Sequence, residues 1–183
     1  MNTRFLSACA LLLGTLLPTS ALAVRLSSGQ VYFDRPPRLL GAATTFNAAR
    51  VWGATYRFTL AVPEDAGEPL QRVTIAQREN VDEVAFDLDE SRAFAGTGFR
   101  GRQPFNIASV TEEPASNAVT VVFDPPVPPG NTVTITLRPD RNPDFGGVYL
   151  FGVTAFPAGE NSYGQFLGYG RLNFYDNGGH DFL

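Results

Sequence analysis

Few side chains in this sequence have the chemistry of a reactive site. The single histidine, His180, stands fourth from the C-terminus among glycines, and the single cysteine, Cys9, lies in an apolar N-terminal run. A nucleophilic triad needs a histidine held by packing, and zinc, copper, haem and iron–sulfur centres need His, Cys or Met ligands. Tail and leader positions supply neither. Oxygen chemistry remains. Asp140-x-Asn142-x-Asp144 places three oxygen donors at alternate positions, the spacing that opens a calcium loop. The fit ends there, because Gly146 is one place late, Pro143 stiffens the middle and no acid stands at the twelfth position. Asn142, Pro143 and Asp144 are also turn formers, and a turn is the expected reading. A second acidic group, Asp82, Glu83, Asp87, Asp89 and Glu90, reads as a solvated strand edge.

No other spacing selects a reaction. Nothing singles out two carboxylates as a glycosidase pair, and no glycine-rich loop opens a helix to cradle phosphate. No enzymatic activity is expected, with a carboxylate-based hydrolase the remote alternative. The aromatic residues offer the other lead. Trp52, the only tryptophan, adjoins Gly53; it either plugs the end of a sandwich, the expected role, or stacks on a sugar. Tyr163, in the loop Pro157–Gln165, stands equally open to core and ligand platform. Tyr149 and Phe151 share a strand face with Val153 and are expected in the core.

The elements that must position these residues are strands. Tyr56, Phe58, Leu60 and Val62 alternate with polar or small residues, as do Val73 and Ile75, Val84, Phe86 and Leu88, and Val133, Ile135 and Leu137. That period of two marks half-buried strands. Phe105–Val110, Ala118–Phe123, Val148–Phe156 and Phe166–Tyr175 add four more. The run Val148–Phe156 is apolar on both faces, as for an interior strand, and Gly168 and Gly170 point to a bulge or close backbone approach. Leu39–Arg50 is read as extended, Gly96–Arg102 as a loop and residues 176–183 as a frayed tail. Strands recur at intervals of roughly 8–14 residues with no convincing helix, which predicts an all-β fold. The specific expectation is an antiparallel, immunoglobulin-like β-sandwich of about eight or nine strands. On this facing, Ile135→Asp is expected to unfold the domain and Thr134→Asp to be mild.

Residues 1–23 have the anatomy of a cleaved signal peptide: Arg4, an apolar core from Leu6 to Leu17, Pro18, and the small-x-small site Ala21-Leu22-Ala23. Leu6-Ser7-Ala8-Cys9 matches a lipoprotein tetrapeptide, but its apolar run follows the cysteine instead of preceding it. The apolar run is short of the roughly 20 residues a membrane span needs. Cleavage leaves residues 24–183 as one domain without a disulfide. All 14 basic residues are arginine; removing Arg4 leaves 13 against 18 acids, a formal charge of −5. Such a balance argues against nucleic-acid or anionic-membrane partners.

The motif set resembles one family. Phe33-Asp34-Arg35-Pro36-Pro37, Leu60–Gly67, Arg92–Gly96, Phe123–Gly130, Arg141-Asn142-Pro143, Gly147–Phe156, Pro157-Ala158-Gly159, Leu167–Arg171 and Phe174-Tyr175 follow one another through nearly the whole chain. Together they resemble the secreted, mainly cyanobacterial proteins catalogued as domain of unknown function 2808. The resemblance implies export to periplasm, outer envelope or thylakoid lumen, and carries no catalytic residues. The expectation is therefore a non-catalytic binding or structural module of the cell envelope, meeting an envelope protein or a glycan. The alternative is a calcium- or glycan-binding module, with Asp140, Asn142 and Asp144 as the calcium donors and Trp52 and Tyr163 as ligand contacts. The Asp140–Gly147 loop, with Tyr163 expected beside it, is the place to look for a site.

Overall fold

A computed structural model of the protein describes residues 29–97 and 103–176. The expected signal peptide 1–23 with its lipoprotein-like tetrapeptide, residues 98–102 of the expected loop, and His180 with the expected tail from residue 177 lie outside the described residues.

Nine strands run in chain order: β1 (Arg38–Thr44), β2 (Tyr56–Ala61), β3 (Leu70–Gln77), β4 (Phe86–Ala95), β5 (Ile107–Glu113), β6 (Ala118–Val127), β7 (Thr132–Pro139), β8 (Gly147–Pro157) and β9 (Gln165–Phe174). They form two antiparallel sheets, β1-β2-β7-β4 and β5-β6-β3-β8-β9. Lettering β1, β2, β3 and β4 as A to D and β7, β8 and β9 as E to G gives the orders ABED and CFG. That is the immunoglobulin constant-type arrangement, with the β5–β6 hairpin added beside strand C. A further mark of that fold is present at the start of β8, where the Tyr149 hydroxyl donates to the Phe145 carbonyl (3.1 Å).

The alternating residues meet between the sheets. Tyr56, Phe58 and Leu60 of β2 and Val133, Ile135 and Leu137 of β7 face Val73 and Ile75 of β3, Val119, Val121 and Phe123 of β6, and Tyr149, Phe151 and Val153 of β8, all buried. Each such aliphatic or Phe side chain contributes about 1.5–3 kcal/mol on burial. Tyr56 sits in an aromatic cluster with Phe86 (5.8 Å between ring centroids), Phe151 (5.9 Å) and Phe174 (5.6 Å). β9 closes the sandwich against β1 and β2 through Gly170, where a Cβ would come within 2.8 Å of the Ala42 Cβ and 2.9 Å of the Phe58 ring. Gly168, at φ +120°, marks the bulge where the β8–β9 register slips. Both glycines do what their sequence context implies.

The outward threonines of β7 differ from expectation. Thr134 is 1% exposed, and its hydroxyl bonds to Thr59 Oγ1 (3.0 Å) and the Gly96 carbonyl. Thr136 is also buried and donates to the Arg92 carbonyl. β7 is an inner strand, and Arg57, Thr59, Arg92 and Phe94 stand beside these threonines in register on β2 and β4. A small side chain between larger neighbours loses its solvent even on the outer face. Thr134→Asp would therefore place a buried carboxylate against the Gly96 carbonyl with the Thr59 hydroxyl as its nearby donor, and the mild outcome expected from alternation is withdrawn. β5 runs to Glu113 and β6 through Pro125 and Pro126, both longer than their apolar patterns.

Candidate functional site

The loops β1–β2, β3–β4 and β7–β8 meet at one end of the sandwich, together with the end of β9. Asn142 holds them. Its side chain is 1% exposed; its Oδ1 accepts from the Tyr56 hydroxyl (3.0 Å), and its Nδ2 donates to the Phe46 (3.0 Å) and Ala48 (2.9 Å) carbonyls. Its backbone N–H donates to the Val51 carbonyl (2.9 Å), and the Arg50 N–H to the Pro143 carbonyl (2.9 Å). A buried amide so used satisfies groups that the loops would otherwise strand. Asp82 Oδ2 then accepts from the Asp144 N–H (2.6 Å), and Asp176 Oδ1 from the Gly146 N–H (2.8 Å), fixing β3–β4 and the end of β9 to the same loop.

This frame leaves Trp52 outside. The ring is 70% exposed, so the core role expected for it is not the one it has. Gly53 at φ +77° and Arg50 at φ +61° turn the β1–β2 loop across the end of the sandwich and keep the ring off the core. The Arg141 guanidinium lies 5.7 Å from the ring centroid and 2.8 Å from Asp144 Oδ1, with Arg50 at 3.9 Å from the same oxygen. Beside the ring is a concavity of ≈390 Å3 that Asp82, Glu83, Asp140 and Arg141 also line. An aromatic face, a guanidinium and carboxylates around one hollow can stack on a ring ligand and exchange hydrogen bonds with hydroxyls.

The sequence-derived candidates separate here. Trp52, Asp140, Asn142 and Asp144 do converge on this end of the molecule. The three oxygen donors do not act as a set, since the Asn142 oxygen is turned inward to Tyr56 and Asp144 is shared between two arginines. Among the described residues, no three Asp, Glu, His or Cys side chains gather as a metal site. Tyr163 is not beside this loop. It lies beyond the far end of β8, whose eleven residues cover about 36 Å at strand rise. There it is 51% exposed, with its ring 5.0 Å from Tyr32 and its N–H donating to the Val31 carbonyl (2.9 Å). Spacing gave no signal for Arg141 or Asp82, which complete the Trp52 hollow from two different loops.

Two tyrosines under the site have perturbed acidity. Burial, aided by Tyr149 and Asp82, pushes the Tyr56 phenol far above its ordinary value of 10.0. Burial also raises Tyr149, with Asp82, Asp144 and Asp176 adding to it. Both remain neutral hydroxyl donors, as their roles to Asn142 and Phe145 require.

A family model described as "Protein of unknown function (DUF2808)" matches residues 30–174, from the first described bridge through β9. The chain belongs to the DUF2808 family. The match contains Trp52, Asn142 and Tyr163, so both ends of the sandwich lie within the DUF2808 domain. No curated protein sequence matches the chain at a significant level. Solved structures resemble it at low identity. The C-terminal domain of the Streptococcus pyogenes antigen I/II-family protein AspA is 12% identical with a TM-score of 0.45, the match covering 75% of this chain and 46% of that one. The group B streptococcus pilus 2b backbone protein is 14% identical at TM-score 0.43, covering 74% and 57%. A cohesin module from a Clostridium perfringens family 33 glycoside hydrolase is 15% identical at TM-score 0.38, covering 75% and 96%. The DUF2808 chain thus spans about half the length of the two streptococcal chains, and likenesses this distant say nothing of its ligand.

Proposed function

We propose that the protein is an exported, non-catalytic binding module of the cell envelope, and that the Trp52 end of the sandwich takes a glycan. The observation that carries this reading is the exposed Trp52 ring, held beside Arg141 above a hollow edged by Asp82, Glu83 and Asp140. Exposing an indole forgoes roughly the burial energy of a large aromatic side chain, and a bound sugar's apolar face restores part of it. The loops beneath are fixed by buried hydrogen bonds, so little ordering remains to be done on binding. The leader's signal anatomy supports export, to periplasm, outer envelope or thylakoid lumen. Two of the carboxylates at the hollow are engaged, Asp144 by Arg141 and Asp82 by a backbone N–H, an arrangement that suits recognition better than a facing acid–base pair.

Trp52 is the only tryptophan, so its fluorescence reports this site alone. Titration with soluble fragments of envelope polysaccharide and peptidoglycan should quench or shift it, and Trp52→Ala should abolish retention on the matching immobilised glycan. Unchanged emission with every fragment, or equal retention of Trp52→Ala, would reject the site.

A further inference from the structure

A different surface carries a second binding chemistry. The strands β3, β8 and β9 contain no Asp or Glu, in a chain with 18 acids against 14 arginines. Arginine and aromatic residues stand among their outward positions, beside Thr74 and Thr154, and Arg78 follows directly after β3. Arg72 lies beside Phe156 in register, with its guanidinium carbon 4.0 Å from the ring centroid. At the other end of the strip, the Arg78 guanidinium is 5.8 Å from the Tyr169 ring and 3.4 Å from its hydroxyl. Between them Phe166 (58% exposed) and Tyr169 (48% exposed) meet edge to face at 5.1 Å. Gly152 leaves room for both rings over β8, since a Cβ there would stand 3.3 Å from the Phe166 ring and 3.4 Å from that of Tyr169.

The arginines are not committed elsewhere. None of the ion pairs among the described residues uses Arg72 or Arg78. The Arg72 Nε is buried without a hydrogen-bond partner. Arg78 stands six positions after Arg72, roughly 20 Å along an extended chain. A cationic, aromatic strip on an otherwise acidic protein complements an elongated anion that also offers apolar ring faces. β3 and β8 already have strand neighbours on both sides, so a peptide could not add to the sheet there and would be held by side chains alone.

We infer that the outer face of the five-stranded sheet binds an acidic polysaccharide of the uronate type, whose carboxylates meet Arg72 and Arg78 and whose sugar rings lie on Phe166 and Tyr169. This site is separate from the Trp52 hollow, and the two stand or fall independently.

Affinity electrophoresis of the mature protein through gels holding polygalacturonate, dextran, polyglutamate or poly(dT) tests it. Polygalacturonate should retard the protein at low salt, with retardation falling as salt rises. Arg78→Gln, at an exposed position, should weaken that binding by roughly tenfold, as should Tyr169→Ala, while Trp52→Ala should leave it unchanged. Melting curves check that the variants remain folded. Absence of retardation by polygalacturonate, equal retardation by dextran, polyglutamate or poly(dT), or indifference to Arg78→Gln would each overturn the inference.

Discussion

At the Trp52 end of the sandwich, side chains join the loops in addition to backbone bonds: one buried amide, Asn142, reaches Tyr56, Phe46 and Ala48, and Asp82 and Asp176 cap neighbouring N–H groups. At the Tyr163 end they are tied mostly by backbone. Val31 donates to Asn161 (3.0 Å), Tyr163 to Val31 (2.9 Å), Asp34 to Ala66 (2.9 Å) and Ala158 to Pro69 (2.9 Å). Backbone bonds survive most substitutions, whereas a network converging on one side chain does not. The first end is therefore rigid but vulnerable at a single residue, and the second is tolerant. Each end also exposes aromatic side chains, and at the Trp52 end the Trp52 ring borders a hollow with charged groups.

The largest test of this contrast is Asn142→Leu. It strands the Ala48 carbonyl and the Tyr56 hydroxyl and leaves the Phe46 carbonyl with the Thr44 hydroxyl alone, and should cost about 3 kcal/mol, read as a lower denaturant midpoint at unchanged m. A loss below about 1 kcal/mol would show that the loops are held by something else. Next is Tyr56→Phe, which leaves the Asn142 oxygen unpaired and should cost about 1–2 kcal/mol at neutral pH.

The same variant has a pH signature. The Tyr56 phenol is raised in the folded state, so above its ordinary value of 10.0 the unfolded chain has lost its proton while the folded one retains it. The folded state then binds more protons, and stability falls as pH rises beyond that point. Wild type should lose stability in alkali more steeply than Tyr56→Phe, as followed by urea melts from pH 8 upward. Parallel curves would place the alkaline sensitivity on other groups.

Smaller effects are expected at the exposed rings. Tyr163→Ala should cost about 0.5–1 kcal/mol through loss of its contact with Tyr32. Trp52→Ala should stay within about 0.5 kcal/mol of wild type by thermal melting. A larger cost for Trp52→Ala than for Tyr163→Ala would reverse the comparison. The smallest expected effect is that of calcium: millimolar calcium or EDTA should leave the melting temperature unchanged, because the Asn142 oxygen is committed to Tyr56. A calcium-dependent rise would restore Asp140, Asn142 and Asp144 as a ligand set.

Much of the fold was legible, because alternation is a local property of strands. The inward faces of β2, β3, β7 and β8 follow from their period of two, Val73 and Ile75 of β3 among them. What alternation cannot show is how wide a sheet is. Thr134 points outward as its position dictates, yet lies beneath neighbours contributed by β2 and β4. Loops obey no period, so Trp52, flanked by Gly53, gave no sign of which way its ring would face. Chain proximity also misled: Tyr163 lies 19 residues after Asp144, and β8, fully extended, carries it to the opposite end. Asn142 had the clearest local signal of the site residues, its place before Pro143, but that signal denotes a turn and is silent on the β1–β2 loop and the Tyr56 hydroxyl that its amide ties to its own loop.

The central claim is that a rigid loop end presents Trp52 to solvent. Acrylamide quenching of native protein, compared with urea-unfolded protein and with Asn142→Leu, tests it most directly, since one tryptophan supplies the whole signal. The account predicts that native quenching reaches at least half of the unfolded value, with emission already near that of tryptophan in water. A native ring shielded from acrylamide, with blue-shifted emission that moves to the red only on unfolding, would contradict it.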